Sequence, residues 1–268
     1  MKICTDLVVQ RINDDSSWLL RWSGLAFLLD PWLLGDDVNF AGWFSRQRLS
    51  TPPLRVDDLP ALDFILVSHQ FSDHCSTETL RQLPPLLPVY AAPAAAKKIR
   101  QLDHFEHVES LPDWETTGRT LRVGPLQISF FAGTGALDFT HNALLLQAQD
   151  SAKSVLYCPH GFNVPTSPRL RTLFAGVRPT LLLTTFRRYR LPWWLGGPVN
   201  LGAEDSIRLA QLVQPQHLIR THDAAKHEAG IVTRIARGDT HPDPQQALLA
   251  GGATARYHQL GVGESLAL

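Results

Sequence analysis

The chain has 268 residues, 44% of them apolar, and its 25 lysines and arginines balance its 25 aspartates and glutamates. A chain of this size can bury a substantial core, as one large domain or two fused halves. Balanced charge gives no global steering toward nucleic acid or an acidic membrane.

MKICTDLVVQRINDD has no long apolar run and meets Asp6 early, so no signal peptide is expected. DLVVQRI, SWLLRW and LAFLLD then read as three strands separated by NDDSS and a Ser-Gly turn. The greasiest stretch, LAFLLDPWLL, is broken by Asp30 and Pro31, well short of the roughly 20 apolar residues of a spanning helix. Residues 31–60 read as a long aromatic, proline-bearing loop. DFILVSH is a continuous apolar run, as in a strand buried on both faces. Ser76 is placed to cap a helix over TETLRQL, ahead of Pro84 and Pro85.

PVYAA, AAAKKIRQL and HVESL continue as strand, helix, strand. RTLRVGPLQISFFAG predicts a hairpin around Gly124-Pro125, and NALLLQAQ with KSVLYCPH a second around Asp150-Ser151. RLRTLFAGV is helical, PTLLLTTF a buried strand, AEDSIRLAQLVQ an amphipathic helix with an acidic first turn, and HLIRTH a strand. DPQQALLA predicts a last helix, and ARYHQLGVGESLAL a closing strand and tail. The pattern partly recurs after residue 140 with no flexible linker. The expectation is one domain over residues 1–268, in halves of about 1–140 and 141–268, with sheets inside and helices outside.

Three cysteines, Cys4, Cys75 and Cys158, form no C-x-x-C pair and predict a reduced, cytoplasmic protein. Eleven histidines carry more information. The loop after FILVS supplies His69, Asp73 and His74, VLYCPHG supplies His160, and HLIRTHD supplies His222. A lone histidine at a strand end is commonly a hydrogen-bonded loop residue. Three predicted strands that each end in histidine suit a metal site, because a divalent ion such as zinc takes imidazole nitrogens and carboxylate oxygens. Cys158, two residues before His160, and Cys75, beside His74, could join such a site, though small buried cysteines are commoner.

SHQFSDH resembles the His-x-His-x-Asp-His loop of the metallo-β-lactamase-fold hydrolases at three of four positions, and LAFLLDPWLLG resembles the segment that precedes that loop. The resemblance implies an α/β fold, a four-layer αββα sandwich, over nearly the whole chain. It places His69 on the first loop histidine, and Asp73 and His74 on the pair that serves the second metal. Asp30 falls on a structural or supporting aspartate, and His222 on the last histidine. His160 stands where the family has a metal-bridging aspartate. Phe71 replaces a first-metal histidine, and FFAGTGALDFTHN offers Gly133 and Gly135 without an adjacent histidine, His141 being displaced into the next strand. What the resemblance implies is one divalent metal, zinc ahead of manganese or iron, on Asp73, His74, His160 and His222. His69 and Asp73 are the catalytic candidates.

In FRRYRLPWWLGGPVNLG, Arg187 and Arg188 could hold an anion and Trp193 and Trp194 could wall an apolar pocket or touch a membrane interface. The ordinary alternative is a solvated basic turn with the tryptophans packed over the core. The reading is a metal-dependent hydrolase of an ester or phosphoester with a small, lipid-like or anionic substrate and no nucleic-acid partner. Its rivals are a non-catalytic member with a closed or vacant site, and an iron redox protein on the same fold.

Overall fold

The computed structural model describes residues 7–133, 138, 140–163, 168–241 and 243–268. Cys4 and Gly135 lie outside them. The chain forms two compact units: Met1–Pro112 with Ala224–Arg234 and Leu260–Leu268, and Asp113–Asp223 with Ile235–Gln259.

The first unit is built on a seven-stranded sheet, ordered Ser265–Ala267, Val8–Arg11, Trp18–Trp22, Leu25–Leu29, Phe64–Val67, Val89–Ala91, Val108–Ser110. Its neighbours run antiparallel up to Leu25–Leu29 and parallel from there on. All four residues of Phe64–Val67 are buried, as their unbroken apolar run requires. The helix Pro93–Arg100 starts with proline in its first turn and carries Lys97, Lys98 and Arg100 in its last, in accord with the helix dipole. Its Ala95, Ala96 and Ile99 pack with Ile65, Val67, Val89 and Ala91.

The second unit repeats the plan. Its seven-stranded sheet is ordered Arg256–His258, His217–Arg220, Leu181–Thr184, Ser154–Cys158, Ala143–Ala148, Leu126–Phe131, Leu121–Val123. The first four strands are mutually parallel and the rest antiparallel, joined by the two expected hairpins. The helix Ala203–Val213 buries Leu209, Ala210 and Val213 against a core that includes Leu156, Leu182 and Leu218.

Several boundaries differ from those expected. Leu121–Val123 and Leu126–Phe131, which a division near 140 groups with the first half, pair within the second sheet. The final segment splits, with Arg256–His258 in the second sheet and Ser265–Ala267 in the first. Ser76 caps a helix of only one turn, Thr77–Leu80, its hydroxyl accepting from the Thr79 amide at 3.1 Å. The region 31–60 holds the strands Asp37–Asn39 and Ser45–Leu49, which form a three-stranded sheet with Lys226–Ala229. SRQRL shows no apolar alternation, so its strand depends on a partner far along the chain. Arg187–Arg190, Pro198–Leu201 and Arg237–Thr240 make another three-stranded sheet. Among the described residues no helix is long and apolar enough to cross a membrane.

Candidate metal centre

In the first unit, the parallel strands Leu25–Leu29 and Phe64–Val67 end side by side. The residues that follow them, Asp30 and Ser68-His69, are therefore neighbours. Asp30, fully buried, accepts from the Ser68 amide at 2.6 Å, from the Ser68 hydroxyl, and from His74 Nδ1 at 2.7 Å. The Ser68 hydroxyl has one proton and gives it to Asp30, so His69 Nδ1, 2.6 Å away, must donate to Ser68. Both histidines then carry hydrogen on Nδ1, so that when neutral each leaves Nε2 as the acceptor, the form in which imidazole binds a metal. Ligand nitrogens of His69 and His74 lie within 4.8 Å of one another.

Asp73 Oδ1 sits 3.8 Å from His74 Nε2. Two ligand atoms about 2.1 Å from a shared zinc are roughly 3.4 Å apart at the tetrahedral angle and about 4 Å at most. The pair thus fits one ion. The other Asp73 oxygen, Oδ2, lies 3.9 Å from the ammonium of Lys226, which is buried against Asp15 Oδ2 at 2.8 Å and stands 5.3 Å from the Trp32 ring centroid. Burial opposes the charge on Lys226, but Asp15, Asp73 and Asp37 outweigh it and raise its pKa. Burial, with the charge of Asp73, pushes the Asp37 carboxyl up to about 7. Burial of His74 likewise disfavours its charged form, and the carboxylates of Asp73 and Asp30 overcome that and raise its pKa. Cations beside Asp73 are therefore strongly favoured.

Phe71 provides backbone instead of a ligand. Its carbonyl accepts from the His74 and Cys75 amides at 3.1 and 2.7 Å, and this turn brings Asp73 and His74 back toward Asp30. Burial pushes the Cys75 thiol up to about 12 and raises that of Cys158 too. Neither is a ready thiolate.

In the second unit, Ser154–Cys158, Leu181–Thr184 and His217–Arg220 end in register, and His160 and His222 follow the outer two. Their ring centroids are 4.4 Å apart in an edge-to-face arrangement. Asn200 orients both. Its Oδ1 lies 2.8 Å from His160 Nδ1, and its Nδ2 donates to the His222 carbonyl at 3.4 Å. His222 holds a positive φ of 59°, as Asp30 does at 50°. Non-glycine residues rarely adopt this conformation, and it concentrates at functional positions. Asp223 anchors His222 by accepting from the amides of Phe186 and Arg187 at 2.9 and 3.1 Å. Gly133 donates its amide to Asn142 Oδ1 at 3.2 Å, and His141 Nδ1 pairs with Asp138 Oδ1 at 2.7 Å.

The arginine–tryptophan segment is open. Arg187 stacks over Tyr189, Arg188 reaches Glu204 at 3.3 Å, and Trp193 and Trp194 are 87% and 62% exposed. The tryptophans are largely exposed instead of packed over the core. Ser68, Asp15, Asp37, Lys226, Asn200 and Asp223 are absent from the sequence reading. Only Ser68 and Asp223 carry a signal there, each adjoining a candidate histidine.

A family model described as the beta-lactamase superfamily domain matches residues 26–222. The N-acyl-phosphatidylethanolamine-hydrolyzing phospholipase D 1 of Caenorhabditis elegans is 33% identical over 70 residues, 26% of this chain and 19% of its own. The enzyme of that name from Saccharomyces cerevisiae, described as mitochondrial, is 23% identical over 213 residues, 75% of this chain and 44% of its own. The chain thus spans less than half the length of these curated relatives. An isothiocyanate hydrolase from Delia radicum gut bacteria superposes with a TM-score of 0.71 at 20% identity, covering 97% of this chain and 99% of that one. A possible metal-dependent hydrolase from Veillonella parvula gives 0.71 at 18%, covering 98% and 99%. At these identities the structural likeness establishes the fold.

Proposed function

The chain belongs to the β-lactamase superfamily and has the metallo-β-lactamase hydrolase fold, and on that premise we propose that it is a hydrolase dependent on one divalent metal. The ligands in this reading are Asp73, His74, His160 and His222. The observation that carries it is the chain of hydrogen bonds from Asp30 through Ser68 to His69, and directly to His74, which engages Nδ1 of both histidines and leaves Nε2 for a metal. Three imidazoles and one carboxylate suit zinc, with manganese and iron as alternatives.

A divalent metal held there would supply a Lewis acid and a water of pKa near ~7. Asp30 keeps the imidazole of His74 oriented. Lys226, on Asp73 Oδ2, leaves Oδ1 as the ligating oxygen. His69 takes up or returns a proton at Nε2 during hydrolysis and, with Asp73, is the catalytic pair in this reading. Its burial excludes bulk water from the exchange.

The substrate we propose is an ester or phosphoester with a lipid-like, anionic character. The phospholipase names of the two curated relatives support it, as do Arg187 and Arg188 with Trp193 and Trp194 on the open segment. Cytoplasmic placement rests on the absence of a C-x-x-C pair in the sequence and on Cys75 and Cys158, which are free and buried.

The test is metal-reconstituted protein against a panel of esters, phosphodiesters and N-acyl-phosphatidylethanolamine. Hydrolysis lost in His74→Ala and His69→Gln supports the reading. Metal bound without turnover of any panel member leaves the non-catalytic reading in its place.

A further inference from the structure

The strand Arg187–Arg190 leads into a turn that projects Trp193 and Trp194, and the chain returns through Pro198–Leu201. The turn closes tightly, Leu191 donating to the Gly197 carbonyl at 2.8 Å and Leu195 to that of Pro192 at 2.8 Å. Gly196 and Gly197 hold positive φ values of 110° and 75° there. Two large aromatic rings thus stand at a fixed tip, 87% and 62% exposed.

A second observation lies three residues before Trp193. Arg190 is directly opposite Arg237 across the antiparallel pair Arg187–Arg190 and Arg237–Thr240. Both are exposed, and neither has an ion pair among the described residues. Like charges facing across a ladder are destabilising, so this pair calls for an anion from outside the chain. Arg188, two pairs along, already has Glu204 at 3.3 Å.

We propose that this tip is an anchor for a phospholipid bilayer bearing anionic headgroups. Trp193 and Trp194 enter the interface, and Arg190 with Arg237 clasps lipid phosphate. Tryptophan favours the headgroup level because its ring is amphipathic, and each basic residue at an anionic surface adds binding in proportion to lipid charge. A folded protein partner fits less well. Two indoles offer roughly 300–500 Å², below the ~1,000 Å² of a specific protein interface.

The inference deepens the lipid-like part of the proposed function, and its test reads adsorption without turnover, so the two can fail separately. The protein is co-sedimented with phosphatidylcholine vesicles that contain or lack phosphatidylglycerol, at low and high salt. Adsorption that needs phosphatidylglycerol, weakens with salt, falls roughly thirty-fold in R190Q/R237Q and disappears in W193A/W194A supports the anchor. The first unit supplies the control, an exposed aromatic tip at Phe40 and Trp43 whose neighbouring Arg46 and Arg48 already pair with Asp36 at 3.8 and 2.8 Å. F40A/W43A is expected to adsorb like wild type. Three results overturn the proposal: no adsorption to anionic vesicles, adsorption unchanged in both tip variants, or loss in F40A/W43A alone. Equal affinity for a single-stranded oligonucleotide would overturn the assignment to lipid.

Discussion

The two units repeat one sheet plan and present their histidines in different ways. In the first, a fully buried carboxylate, Asp30, orients His69 through Ser68 and His74 directly, amid Asp15, Asp37, Asp73 and the ammonium of Lys226. In the second, a neutral amide, Asn200, orients His160, and His222 is held through its backbone. A carboxylate raises the basicity of the imidazole it orients, whereas an amide fixes direction at less electrostatic cost. The first unit therefore holds charge that a cation must balance, and the second holds geometry.

The largest effect that would break this contrast is at Lys226. Lys226→Met leaves Asp15 and Asp73 without their buried cation and is expected to cost about 3–5 kcal/mol of stability, measured by urea unfolding at neutral pH. A loss under 1 kcal/mol would mean that the ammonium is dispensable to the network.

Next comes the orienting group itself. Asp30→Asn is expected to weaken metal affinity roughly 10- to 100-fold, read by titration of metal-free protein. Asn200→Ala should weaken it less and cost about 1–3 kcal/mol of stability. If Asn200→Ala is the more damaging to affinity, charge is not what separates the two halves.

The smallest effects are the pH slopes, which have opposite signs. Asp37 has a folded pKa of about 7, above its unfolded value. The folded state therefore binds the extra proton, and its contribution to stability falls as pH rises from ~4 to ~7, by at most ~1.4 kcal/mol per pH unit. In the second unit His217 Nδ1 lies 2.8 Å from His258 Nε2. Burial lowers both pKa values, with Arg256 adding to the effect on each and His217 to that on His258. The unfolded state binds the extra proton there, so that contribution is complete above ~6.5 and is lost as pH falls below it. Melting curves across pH should flatten the first slope in Asp37→Asn and the second in His258→Gln.

These differences also mark what the sequence discloses. FILV, VLYC and LLLT are read as buried strands because unbroken apolar runs admit little else, and Asp30, His69 and His160 are conspicuous as polar residues just beyond such runs. Lys226 gives no such signal. It lies in KHEA, a polar strand whose partner, Ser45–Leu49, is equally polar and distant in sequence. Asp15 and Asn200 stay silent for the same reason, since the groups they serve come from far along the chain. Exposure is illegible as well. FRRYRLPWWLGG suits a pocket wall or a surface tip equally, and the turn at Gly196-Gly197 decides for the tip.

The central claim, that the chain holds one divalent metal on Asp73, His74, His160 and His222, is tested most directly by element analysis of purified protein alongside His74→Ala and His222→Ala. The account predicts about one metal per chain, lost in both variants. No metal after reconstitution with zinc, manganese and iron, or metal retained at full occupancy in both variants, would contradict it.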